Sequence, residues 1–127
     1  MQLWRYAHVT DPYFGPRSCW ALTREFADQF NTWNSEASVQ ELIAGTPGAG
    51  PRRLYVAELQ IDATVLDIRS ESLIDDFTPQ DIESWAPELT ERGIRWVIWH
   101  EGLWEGTRPV QAIYFGTEPV NAVPADV

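Results

Sequence analysis

Between positions 5 and 23 the chain gathers Arg5, Tyr6, His8, Tyr13, Phe14, Trp20 and Thr23. The set joins a cation, an imidazole, several aromatic faces and a hydroxyl. Guanidinium forks hold phosphate through paired hydrogen bonds. Aromatic rings stack on planar heterocycles. Together these residue types suit a dinucleotide held without a glycine-rich loop, and the chain contains no such loop. It also lacks Gly-x-Ser-x-Gly, His-Glu-x-x-His and calcium-loop signatures. Cys19 with His8 offers a thiol–imidazole pair, and His100-Glu101 offers half of a metal site. Asp75-Asp76 and Glu101 with Glu105 are carboxylate pairs of the kind used in acid–base chemistry.

Each of these has a plainer role open to it. Cys19 beside Trp20 fits a core thiol. Arg5 fits an ion pair across a sheet, and His8 an ordinary strand histidine. Trp20, Phe26 and Phe30 fit the core, Thr23 a helix N-cap, and Gln111 a strand position. The carboxylates fit a solvated surface.

Composition narrows the classes. The chain has 127 residues, 44% of them hydrophobic and 13% aromatic, including seven tryptophans. That is enough for one packed domain spanning 1–127. Nineteen acids oppose nine bases, for a net charge of -10. Every base is arginine. This balance argues against a general nucleic-acid footprint and against docking on anionic membranes. The absence of lysine excludes Schiff-base chemistry and a Walker lysine. One cysteine excludes an internal disulfide and a multi-cysteine metal site. No apolar run reaches the roughly 18–20 residues of a membrane span. The opening residues lack the charged start and apolar stretch of a signal peptide, which predicts a cytoplasmic protein.

The charge is lopsided. Residues 1–57 carry five arginines and five acids, whereas residues 58–127 carry four arginines and fourteen acids. An anionic ligand is therefore expected in the first half, and a cationic partner suits the second.

The elements that would position these groups alternate between strands and short helices. Leu3–Val9, Ser18–Leu22, Arg53–Ile61, Thr64–Ile68, Ile94–His100 and Gln111–Phe115 read as strands, with Val120–Val123 a short edge. Thr23 is a helix N-cap, and Phe26, Phe30 and Trp33 share one helical face. Ser38–Ala44 reads as a short helix and 45–51 as a loop. Thr78 caps a helix with Pro79 in its first position, and Pro87 begins a turn. Trp96 and Trp99 point to opposite sides of their strand, so Trp99 with Trp104 could form an apolar patch for a partner. The expected class is α+β, with two packed, mostly antiparallel sheets and few short helices.

This order resembles the ADP-ribosyltransferase fold, particularly its compact bacterial toxin-like members. The resembling stretches are Arg5 or His8 on the first strand, Tyr13-Phe14-Gly15, and Trp20 to Ala27. The middle pair is Arg53 to Asp62 followed by Val65-Leu66-Asp67, and the closing strand runs from Gln111 to Val123. The resemblance implies an NAD-dependent mono-ADP-ribosyltransferase that modifies a protein or nucleic-acid acceptor and releases nicotinamide. It implies that Arg5 grips NAD, assisted by Tyr6 and His8. Tyr13 and Trp20 would stack on nicotinamide, Thr23 would orient the site, and Gln111 would bind ribose. It also implies a cognate antitoxin or immunity protein as partner. Gln111 departs from the family's usual glutamate, which leaves Glu101, Glu105 and Glu118 as candidates for the carboxylate. Arg5-Tyr6 likewise replaces the commoner arginine-glycine. A second reading is a non-enzymatic acidic interaction protein, an immunity factor or inhibitor, docking a basic or aromatic partner. A third is a hydrolase using Glu101 or Glu105 with His100.

Overall fold

The structure, a computed structural model, describes residues 1–9, 12–28, 52–73, 77–102 and 109–125. The expectations for Phe30, Trp33, 38–51, Asp75-Asp76, Trp104 and Glu105 lie outside the described residues.

Strand β1 (Gln2–His8) is followed by β2 (Cys19–Ala21) and by α1, helical over 24–28. Next come β3 (Arg52–Glu58), β4 (Val65–Asp67) and the helices α2 (Arg69–Ser72), α3 (Pro79–Ser84) and α4 (Ala86–Glu91). Strands β5 (Trp96–His100), β6 (Val110–Tyr114) and β7 (Ala122–Pro124) complete the series. The protein is thus a small α+β structure with one mixed seven-stranded sheet, ordered β4-β5-β6-β2-β1-β3-β7.

Here the structure differs from the two packed sheets expected. The three-residue β2 pairs with β6 along its whole length and with β1 at Trp4↔Ala21, so it joins the two halves into one ladder. The β4–β5 pair is parallel and the other pairs are antiparallel.

Period-two alternation divides the side chains between two faces. One face carries Leu3, Trp20, Ala57, Trp96, Ile98, Ala112 and Tyr114 in a single apolar cluster, against which Phe14, Leu22 and Val120 pack. Loops cover this face, tied together by Val120 N donating to Phe14 O at 2.9 Å. The other face takes helices. Ile82, Ala86 and Leu89 of α3 and α4 pack on Val97, Trp99, Ile113 and Phe115. Phe26 and Ala27 of α1 pack on Ala21 and Leu54. Burying each such large side chain stabilises by about 1.5–3 kcal/mol.

Local chemistry sets the helix ends. Thr78 Oγ1 accepts from Asp81 N at 3.2 Å while Asp81 Oδ2 accepts from Thr78 N at 2.8 Å, a capping box with Pro79 at the first helical position. Ala86–Glu91, expected to open as a turn at Pro87, is helical because proline fits the first turn of a helix. It stops at Gly93, whose φ of 74° any side chain would strain. Trp96 and Trp99 do face opposite sides, but both are buried. Trp99 is 0% exposed and its Nε1 donates to Phe77 O at 3.1 Å, so it forms no surface patch. Among the described residues no helix is long and apolar enough to cross a membrane.

Candidate functional site

On the helical face the α1 cluster and the α3–α4 cluster leave a seam between them. A cleft opens there, lined by Trp4, Arg5, Tyr6, Cys19, Ala21, Ala27, Arg52 and Gln111, with a volume of about 150 Å³.

The cleft exists because β1 and β2 part company. Their register holds one pair, Trp4↔Ala21. At the next residue of β1 the guanidinium of Arg5 enters the gap. Its Nε donates to Tyr13 O at 3.0 Å, and one terminal nitrogen donates to Cys19 O at 2.9 Å. A side chain thus takes over a β2 carbonyl that the diverging ladder leaves unserved. Burial lowers the pKa of Arg5, and the nearby charge of Arg52 acts in the same direction.

Alternation supplies the rest of the lining. Trp4, Tyr6 and Arg52 share a face through the pairs Trp4↔Val56, Tyr6↔Leu54 and His8↔Arg52. Ala21↔Gln111 and Cys19↔Ile113 carry that face across to β6. Gln111 is 5% exposed and its side chain lines the cleft. The Nε of Arg52 is buried and has no hydrogen-bond partner among the described residues. No carboxylate lines the cleft among the described residues, so two arginines stand there in a chain of net charge -10. Asp28, close by on α1, accepts from the Tyr6 hydroxyl at 2.8 Å. Both lining cations come from the charge-neutral half of the sequence.

The structure brings Arg5, Tyr6 and Gln111 together in this cleft and leaves the other expected residues outside its lining. Trp20 points to the opposite face, 1% exposed, with Nε1 donating to Ser18 Oγ at 2.9 Å and its ring 6.3 Å from that of Trp96. Tyr13 is 53% exposed; its ring lies against Gly15, and its contribution to the site is the carbonyl that holds Arg5. His8 lies on the cleft's face of β1, half-buried opposite Arg52. Thr23 is exposed and acts as an N-cap, its Oγ1 accepting from Phe26 N at 3.3 Å.

Of the alternative carboxylates, Glu101 follows directly after β5, where burial raises its pKa and its charge reaches Cys19. Glu118 is exposed near the far end of β6, its carbonyl accepting from the Tyr114 hydroxyl. Neither lines the cleft. Burial pushes the Cys19 thiol up to about 11, which opposes thiolate formation and any role as an activated nucleophile. Among the described residues no group of three or more His, Cys, Asp or Glu is placed to hold a metal ion.

Arg52 and Trp4 are lining residues that sequence reasoning did not single out as site residues, whereas Cys19, Ala21 and Ala27 lay in the stretches it named. The one signal for Arg52 was its place in the arginine doublet opening a strand of the neutral half. Comparison of the chain with protein families, with curated proteins and with solved structures finds no match.

Proposed function

We propose that the protein is an NAD-dependent ADP-ribosyltransferase acting at this cleft. The observation that carries the reading is the convergence of Arg5, Arg52 and Gln111 with the rings of Trp4 and Tyr6 on one opening. A cationic wall suits a diphosphate, aromatic rings suit a planar base, and a carboxamide suits ribose hydroxyls. The aromatic role expected of Trp20 and Tyr13 falls in this reading to Trp4 and Tyr6.

Size limits what enters. Pockets that enclose whole small ligands run to roughly 300–1,000 Å³. A cleft of about 150 Å³ takes one end of NAD, with the rest along the open rim. In the reaction, the bond from nicotinamide nitrogen to ribose breaks, and its electron pair neutralises the pyridinium. The acceptor's nucleophile bonds to the same ribose carbon and gives its proton to solvent. Gln111 orients ribose without supplying the negative charge that a glutamate would bring to the developing cation.

Titration calorimetry with NAD tests this on the wild type and on Gln111→Glu. A dissociation constant below about 1 mM, or roughly -4 kcal/mol, is expected for at least one of them. Absence of binding by both at millimolar NAD refutes the reading.

The acidic interaction module draws on the solvent-exposed Asp81, Glu88 and Glu91 of α3 and α4. It predicts salt-sensitive capture of a basic partner with no response to NAD.

A further inference from the structure

We propose that Arg52 is the anion-selecting residue of the cleft, and that with Arg5 it grips a phosphoryl or diphosphate group of the ligand. The inference rests on the cleft being the binding site, but not on NAD being its occupant.

The pairs Ala7↔Arg53 and His8↔Arg52 send the two arginines of the doublet to opposite faces, and Arg52 lines the cleft. Its Nε is buried without a partner among the described residues, although a buried guanidinium N–H is costly to leave unpaired. No carboxylate stands among the described lining residues to answer it. Arg5 cannot relieve it, because it carries the same charge and is near enough for the two to oppose each other. Arg5 is also partly committed, with two of its three nitrogens bonded to the carbonyls of Tyr13 and Cys19. What completes this arrangement is an anion with several acceptor oxygens, able to take the half-buried Arg52 guanidinium and the remaining Arg5 nitrogen together. Phosphoryl oxygens match that need, and guanidinium forks hold them bidentately. A neutral ligand would leave both charges opposed.

Calorimetry with inorganic pyrophosphate and with ADP-ribose, at about 0.1 M salt where exposed charges are partly screened, tests the proposal. Arg52→Gln is compared with Arg53→Gln, which alters the neighbouring arginine on the opposite face. Arg52→Gln is expected to weaken both ligands by about 10- to 100-fold, the scale of a hydrogen bond to a charged group. Arg53→Gln is expected to stay within about twofold of wild type, as a surface change should. Without ligand, Arg52→Gln should melt no lower than wild type, because it removes a like-charge neighbour; a merely structural arginine would lower the melting temperature. Arg52→Lys keeps the charge without the fork and should retain only part of the affinity. Equal binding of pyrophosphate by Arg52→Gln and wild type overturns the proposal. So does failure of the wild type to bind either anion at millimolar concentration. Binding of pyrophosphate with no response to NAD upholds the anion site and refutes the transferase reading.

Discussion

Replacing Arg5 by methionine separates what that arginine does for the fold from what it does for a ligand. Methionine keeps much of the side chain's length and removes every donor. Two contacts disappear: Nε to Tyr13 O at 3.0 Å, which is exposed, and a terminal nitrogen to Cys19 O at 2.9 Å, which is partly buried. Water can replace the first, so its loss costs little. The second leaves a carbonyl short of a partner beside the point where β1 and β2 diverge, and a hydrogen bond to a charged group is worth about 1.5–3 kcal/mol. Relief of burying a cation beside Arg52 offsets part of this. The net expected loss is about 2 kcal/mol, or a fall in melting temperature of roughly 8 °C for a chain of this size. Urea unfolding followed by tryptophan fluorescence, alongside calorimetry, measures both quantities. A change under about 0.5 kcal/mol, the level of an ordinary surface substitution, would refute the claim that Arg5 stitches β2 to β1. Ligand binding by Arg5 variants therefore mixes two effects, whereas Arg52 gives the cleaner measurement.

Other substitutions probe the surroundings. In Gly116→Ala the new Cβ would clash with the Tyr114 hydroxyl, disturbing a side chain whose oxygen donates to Glu118 O and accepts from Arg95 and whose ring packs 4.8 Å from that of Trp96. Overpacking of this kind should cost about 2–3 kcal/mol in urea unfolding. Pyrophosphate affinity should stay unchanged, because Tyr114 lies on the loop-covered face; a loss of affinity would contradict that separation. Partial burial raises the Cys19 thiol from 9.0 to about 11, so alkylation at pH 8 should be far slower than for a free thiol, and equal rates would contradict the half-buried placement. Because the folded value lies above the unfolded one, the associated stability is present below about pH 9 and is lost as pH rises towards 11. Cys19→Ala should flatten that alkaline decline in urea midpoints, and an unchanged slope would exclude the thiol as its source.

Much of the architecture was legible because its causes are local. Alternation in Leu3–Val9, Arg53–Ile61 and Gln111–Phe115 marks strands, since successive side chains must face opposite sides. Thr23 and Thr78 announce helix starts, because their hydroxyls accept from backbone N–H groups only a few residues on. The charge split between the halves is arithmetic on the chain, and both cations lining the cleft lie in the neutral half. Ala86–Glu91 was ambiguous because a proline opens a turn and a helix equally well. Four-residue α2 carries no comparable signal.

What tertiary structure alone decided is register. In β2, Trp20 alternates with Cys19 and Ala21, and the sequence cannot say which set faces β1's cleft. The pair Trp4↔Ala21 turns Cys19 and Ala21 towards it and Trp20 away. A slip of one residue would reverse the assignment, since side chains alternate with a period of two. Arg52 shows the same dependence. Its type and strand were plain from the chain, but only its pairing opposite His8 sets it in the cleft with Arg5. Residue chemistry is written position by position, whereas convergence on a site depends on hydrogen-bonded pairings between segments far apart in the chain.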